Sequence, residues 1–226
     1  MDDANNEILK FLPDFCDSLF QVLVSDEEAT RETVFNALVH VIRLCEDSEN
    51  EKFFIEYLER FHSANVFQPL LRILCDSIDV LPSPEGTPEP LVPILRSLKY
   101  LTITIIESQK CYNFLTPLES PICINENFVD LFKKLQNLVQ DSSKKRVSQN
   151  TAIKYIPSMF QPLIESDIFE SIYLANYILD ILENLSPNVI TRERITFLSE
   201  IVATDIFADP ECVSLLLPKF LDIIIN

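Results

Sequence analysis

The chain contains a single glycine, Gly86, and this feature restricts its fold more than any other. At average usage, a chain of this length would contain about 16 glycines. Phosphate-binding loops, tight hairpin turns and dinucleotide-binding crossovers need glycine, because their backbone takes positive φ or comes close to a ligand. The sequence therefore excludes a P-loop and a dinucleotide site. It favours successive helices, separated by polar residues and by 14 prolines.

Apolar residues recur at steps of three and four along nearly the whole chain, which predicts helices that each bury one face. We expect an all-α, ARM/HEAT-like α-solenoid of about ten helices, since two or three helices per ~40–47 residues are typical of such arrays. A non-repeating helical bundle is the alternative. The predicted helices span about 8–22, 25–45, 51–60, 66–80, 91–108, 126–139, 143–156, 167–184, 191–205 and 210–225.

Local signals predict how several of these helices begin. Asp167 with Glu170 forms a capping box, Thr191 is a candidate cap, and Asp209 precedes a proline suited to the first helical position. The first helix should bury one apolar stripe, made of Ile8, Phe11, Leu12, Phe15, Leu19 and Val22.

Four prolines surround Gly86 in the stretch 81–90, which is too rich in proline for a helix. We expect a mobile loop there. The rest of 1–226 should form a single helical domain, cut from a larger multidomain protein.

The formal net charge is −17, from 18 Lys and Arg against 35 Asp and Glu. Residues 1–90 carry 6 cations and 19 anions, or −13, and the remainder carries 12 and 16, or −4. Nucleic-acid binding depends on cationic contacts to phosphate, so an acidic chain argues against it. The excess charge fits either a basic protein partner or plain solubility. No stretch reaches the ~20 apolar residues needed to insert into a membrane.

Catalytic and metal-binding residues are not predicted. The two histidines, His40 and His62, interpreted as a partly buried packing residue and a helix-end residue, are too few for a zinc site with clustered ligands. The six cysteines are far apart and should be reduced, mostly buried hydrophobes of a cytosolic protein. The aromatic side chains should fill the core first: Phe53, Phe54, Phe128, Phe132, Phe169 and Tyr173. We predict no cofactor.

One basic cluster stands out, Lys144, Lys145 and Arg146, reinforced by Lys133 and Lys134 on the preceding helix. It could contact an acidic partner, an anionic headgroup or the acidic half of the chain itself. The alternative is an ordinary solvated turn at the start of a helix. We treat the triplet as a candidate interaction patch.

Five stretches together resemble the helical region of the DOCK (dedicator of cytokinesis) proteins, in order and approximate spacing. Together they span about 33–218: Thr33-Val34-Phe35-Asn36-Ala37-Leu38-Val39, Phe61-His62-Ser63-Ala64, Ala152-Ile153-Lys154-Tyr155-Ile156-Pro157, Ile201-Val202-Ala203-Thr204-Asp205-Ile206-Phe207 and Cys212-Val213-Ser214-Leu215-Leu216-Leu217-Pro218. The likeness is greatest to the Rac-activating members that pair with ELMO-type adaptors.

This resemblance implies an armadillo-like segment between a lipid-binding C2-type domain and a carboxy-terminal guanine nucleotide exchange domain. It implies that the segment is not an enzyme and that Rac-type GTPases are engaged only through the exchange domain, which is absent here. The implied role is a cytoplasmic scaffold that orients its flanking domains and contacts them or an ELMO-type adaptor, with recruitment to the membrane periphery through the parent protein. The alternatives are a free-standing ARM/HEAT peptide-binding adaptor and a membrane-contact module that uses Lys144, Lys145 and Arg146.

Overall fold

A computed structural model describes residues 10–25, 28–46, 50–60, 63–79, 89–117 and 125–225. Over these ranges the fold is all-α and contains no strand, which confirms the predicted class. No helix in the described ranges is both long and apolar enough to cross a membrane. The α-helices are α1 (Leu12–Val24), α2 (Glu28–Leu44), α3 (Glu51–Glu59), α4 (Phe67–Ile78), α5 (Leu91–Arg96), α6 (Leu98–Leu115), α7 (Asn125–Gln140), α8 (Arg146–Tyr155), α9 (Phe160–Glu165), α10 (Ser171–Glu183), α11 (Thr191–Val202) and α12 (Pro210–Ile225), with 3-10 turns at Ile156–Met159 and Asp205–Ala208.

The described ranges hold twelve α-helices rather than about ten, for two reasons. The predicted helix 91–108 is two helices that meet at Ser97, whose amide and hydroxyl both donate hydrogen bonds to the carbonyl of Pro93 and end α5. A short helix, α9, follows the 3-10 turn Ile156–Met159, where the sequence predicted none. The β-branched stretch around Ile103 is helical, as predicted.

Helix starts depart from the local signals in two of three cases. Asp167 has a φ of 56° and follows the end of α9, so the predicted capping box with Glu170 is wrong. Thr191 is the first helical residue of α11 rather than its cap. Asp209 is confirmed as the cap of α12, because its Oδ1 accepts the N–H of Glu211 at 2.9 Å.

The chain divides into two compact units, residues 1–76 with 100–123, and residues 77–99 with 124–226. That these units form a single domain stays a prediction, and most of the expected loop 81–90 lies outside the described residues.

In the first unit, α1 packs against α2 and also contacts α3. Helix α1 buries Leu12, Cys16, Phe20 and Leu23, whereas Phe11, Phe15 and Val22 are exposed, so the predicted stripe was partly wrong. The start of α4 is held by Ser108 of α6, a buried side chain. Its hydroxyl oxygen accepts the N–H groups of Val66 and Phe67 at 3.1 and 3.0 Å, and it donates to the carbonyl of Ser63 at 2.7 Å.

In the second unit, helices stack in two rows. One row is α5, α8 and α11, and the other is α7, α10 and α12; α7 also packs against α8, which joins the rows. Aromatic rings fill the core between α7 and α10, where Phe132 stacks on Tyr177 with ring centroids 4.4 Å apart. Stacked helix pairs of this kind are the building plan of solenoid proteins.

Candidate interaction surfaces

The predicted basic patch lies at the N-terminus of α8. Lys145 immediately precedes the helix, Arg146 is its exposed first residue, and Lys144 is half-buried. The first turn of α8 contains no acidic residue, although the N-terminal end of the helix dipole favours negative charge. Glu89 supplies negative charge there. Its carboxylate is largely buried, and its Oε2 lies 2.9 Å from the Nζ of Lys145, the residue that immediately precedes α8.

A second internal ion pair lies nearby. Lys134 of α7 pairs with Asp79, and Lys133 on the same helix is exposed. Asp79 and Glu89 both belong to the acidic first ninety residues, so two of the five predicted cations contact the acidic part of the chain itself. The function of Lys144, Lys145 and Arg146 as an interaction patch stays a prediction.

The loop that presents the patch is held in place by the polar side chains of Gln149, Asn188 and Asp141. The Nε2 of Gln149, a buried side chain, donates to the carbonyls of Leu138 and Asp141 at 2.9 and 2.8 Å. The Nδ2 of Asn188 donates to the carbonyl of Ser142 at 3.1 Å. Hydrogen bonds from Ser143 lower the pKa of the Asp141 carboxyl. These contacts fix the backbone of 141–145, which therefore presents the patch on a rigid support.

Asn150 extends this network to the start of α11. Its Oδ1 accepts the N–H of Ile190 at 2.9 Å, and its Nδ2 donates to the carbonyl of Asn188 at 3.0 Å. One side chain on α8 therefore binds the loop that leads into α11. Sequence inspection missed both Gln149 and Asn150, because each acts on a helix end other than its own.

The first unit contains a cleft of about 730 Å³ between α1 and α3. The phenol of Tyr57 donates to Asp17 Oδ1 at 2.7 Å inside it, and burial together with this bond raises the pKa of Tyr57 well above its usual value. The phenol therefore stays protonated at neutral pH. The apolar part of the lining is formed by Leu12, Pro13, Phe53 and the ring of Tyr57. The charged part consists of two acids, Asp17 and Glu56, and two bases, Lys10 and Arg60.

Three buried thiols of the described residues have raised pKa values. Burial raises the pKa of Cys16 and that of Cys45 to about 12, and that of Cys212 to about 11, so all three are protonated at neutral pH. Of the cysteines in the described ranges, all except the half-buried Cys111 are buried, as predicted. Cys123 lies outside those ranges.

Other predicted residues have mixed outcomes. His40 is exposed on α2, so its predicted packing role was wrong, and His62 lies outside the described residues. Phe54, Phe128, Phe132 and Phe169 are buried as predicted, whereas Phe53 and Tyr173 are exposed. Within the described part of the chain, no cluster of three His, Cys, Asp or Glu side chains is arranged to hold a metal ion.

Helices stacked in two rows, with loops fixed by side chains of neighbouring helices, define a helical-repeat segment. The family model described as the dedicator of cytokinesis (DOCK) TPR region matches residues 2–226, and the chain belongs to this family. TPR arrays are also built from stacked helix pairs.

Two curated relatives carry the same family name. The chain is 25% identical to human dedicator of cytokinesis protein 4 and 24% identical to the mouse protein of that name, each over 230 residues and 96% of this chain. The matched segment is only 12% of the human protein and 11% of the mouse protein. The chain thus spans about an eighth of the length of these relatives.

Proposed function

We propose that this segment is a non-catalytic helical scaffold of a DOCK-like guanine nucleotide exchange factor for Rac-type GTPases. In a longer cytoplasmic protein it sets the separation and orientation of a lipid-binding domain and an exchange domain. It also provides surface for contacts with those domains or with an ELMO-type adaptor. Family membership and the small share of the relatives that the chain covers support this proposal.

The observation that carries the proposal is the double row of helices in the second unit. The helices of both rows bury apolar side chains against their neighbours, and the links between helices are fixed by Gln149, Asn150 and Asn188. Interiors packed at crystal-like density resist compression and transmit strain. A unit built in this way can hold the chain that enters it and the chain that leaves it at a set distance, which a flexible linker cannot do.

A second candidate function is a peptide-binding adaptor, and the cleft between α1 and α3 is the observation that favours it. Its lining carries both apolar and charged groups, which is typical of binding sites. However, its two acids and two bases balance, so its charge selects no class of peptide.

Replacing the segment by a Gly/Ser linker in the longer protein tests the scaffold role. The measured quantity is the rate of nucleotide release from a Rac-type GTPase, in solution and on vesicles that contain anionic lipid. We expect the rate in solution to be unchanged, because the exchange domain is intact, and the gain in rate on vesicles to be lost. A fall of the rate in solution would make the segment part of the catalytic machinery, and an unchanged gain on vesicles would exclude a spacing role.

A further inference from the structure

Helices α8 and α11 pack on each other and begin side by side, because one side chain joins their starts. Asn150 of α8 donates from its Nδ2 to the carbonyl of Arg146, the first residue of that helix, at 2.7 Å. Its Oδ1 accepts the N–H of Ile190, the residue before α11, at 2.9 Å. Both helix starts are therefore bonded to the same amide group. We call residues 141–147 and 186–194 together the α8–α11 edge.

Cations outnumber anions at this edge, although the net charge of the chain is −17. The two segments carry 5 Lys and Arg against 2 Asp and Glu, or +3, and Glu89, which pairs with Lys145, lowers the sum to +2. Each helix start adds the positive end of a helix dipole, and neither has a side-chain cap among the described residues. The α8–α11 edge is therefore a local region of positive potential on an acidic protein.

Two of the five cations are available to a partner. The other three already interact with groups of the chain itself: Lys144, Lys145 and Arg194. Arg146 and Arg192 are exposed, and within the described part of the chain their side chains make no ion pair or hydrogen bond. Each lies in the first turn of its helix, where a cation opposes the helix dipole. An anion bound at both arginines would therefore remove an unfavourable interaction as well as form a new one.

The spacing of the two helix starts indicates an extended partner. Packed helices lie about 8–10 Å apart, which sets the separation of the two first turns. An extended chain advances about 3.3 Å per residue, so acidic residues three positions apart are separated by about 10 Å. Val147, which is 59% exposed, adjoins Arg146 and offers an apolar contact beside the charges.

A narrow acidic segment fits this edge better than an anionic membrane does. The helices of the row α5, α8 and α11 carry 5 cations and 2 anions, or +3, whereas those of the row α7, α10 and α12 carry 3 and 6, or −3. A broad anionic surface would be repelled by the second row, which a short segment avoids. Polybasic membrane sites also use clusters of about four to eight Lys and Arg. Two of the cations of this edge are exposed.

We propose that the α8–α11 edge docks an extended acidic segment of a protein partner, with Arg146 and Arg192 each pairing with one carboxylate. Arginine suits this role because its planar guanidinium binds a carboxylate through two parallel N–H···O bonds. The inference rests on the proposed function only in assuming that the scaffold has a partner to contact. It is tested on the isolated chain, whereas the spacing role is tested in the longer protein, so either can fail alone.

The experiment uses the intact 226-residue chain and a fluorescent 12-residue peptide with glutamate at every third position and proline or serine elsewhere. Anisotropy should show binding that weakens by about tenfold or more, or 1.4 kcal/mol, in the double variant Arg146→Gln with Arg192→Gln. The matched control, Arg96→Gln with Lys154→Gln, removes two exposed cations from the C-terminal ends of α5 and α8 and should bind as the wild type. A peptide with glutamine in place of glutamate should bind at least about tenfold more weakly.

Any of four results would overturn the proposal. The first is no binding of the glutamate peptide at concentrations up to about 1 mM. The second is equal affinity of the two double variants, which would mean that the edge is not the site. The third is equal affinity for the glutamate and glutamine peptides, which would remove the acidic partner.

The fourth result concerns a membrane. Sedimentation with vesicles that contain phosphatidylserine, lost in the variant of Arg146 and Arg192 and found without binding of the glutamate peptide, would assign the edge to a lipid surface. Circular dichroism melts accompany each variant. If the double variant is unfolded, Arg192→Gln alone decides the question, with an expected loss of about threefold in affinity.

Discussion

Replacing Phe132 with alanine should lower the free energy of unfolding by about 3–5 kcal/mol, the largest effect expected of any single substitution considered for this chain. Phe132 is 2% exposed, and its ring centroid lies 4.4 Å from that of Tyr177 and 5.5 Å from that of Phe169. Truncation removes these ring contacts and leaves a cavity between α7 and α10 that packed helices cannot fully close. Urea unfolding followed by circular dichroism measures the change.

Tyr173→Ala is the matched control. Tyr173 belongs to the same group of rings and stacks on Phe169 at 5.0 Å, but 41% of its surface is exposed. We expect a loss of about 1 kcal/mol, because surface positions contribute little buried area. If Phe132→Ala and Tyr173→Ala lowered the free energy of unfolding equally, the rings between α7 and α10 would not be the core of the second unit.

Replacing Ser108 with alanine should lower the free energy of unfolding by about 2–4 kcal/mol, the second largest effect expected after that of Phe132→Ala. The substitution removes a hydroxyl that accepts two N–H groups at the start of α4 and donates to the carbonyl of Ser63. Val66 and Phe67 are buried, so water cannot easily replace the lost acceptor. The free energy of unfolding from urea titration gives the cost, and hydrogen exchange should show that the amides of Val66 and Phe67 lose their protection.

Thr104→Val controls for removing a buried hydroxyl from the same helix. Thr104 is as buried as Ser108, but its hydroxyl only donates to the carbonyl of Tyr100 within α6. Valine keeps the shape and leaves no buried donor unsatisfied, so a change within about 1 kcal/mol is expected. A similar loss for both variants would mean that the contact of Ser108 with α4 is not specifically stabilising.

Periodicity and composition predicted most of the fold, because both report on properties of a single helix. The near-absence of glycine and the apolar spacing gave the all-α class, and the spacing placed α3, α7 and α12 within a few residues. The cap of α12 was also predicted, since Asp209 acts on the helix that directly follows it.

Contacts between residues far apart in the chain were not predicted. The expected caps at Asp167 and Thr191 do not form, whereas α4 and α11 are held at their starts by Ser108 and Asn150. Ser108 lies 41 residues from Phe67 along the chain, and Asn150 lies 40 residues from Ile190. Capping patterns read from the sequence extend over only a few residues, so they do not include such pairs.

The same limit applies to surfaces. Helix α1 has apolar residues on two sides, and the sequence alone cannot tell which side α2 will cover. The basic triplet was visible in the sequence, but the pairing of Lys145 with Glu89 depends on where α5 packs against α8.

We propose that this segment organises an exchange factor without catalysing exchange itself. The most direct measurement is the release of a fluorescent guanine nucleotide from a Rac-type GTPase, with the isolated 226-residue chain added at increasing concentration. We expect a release rate equal to that in buffer at every concentration. A rate that rises with the concentration of the chain would contradict it.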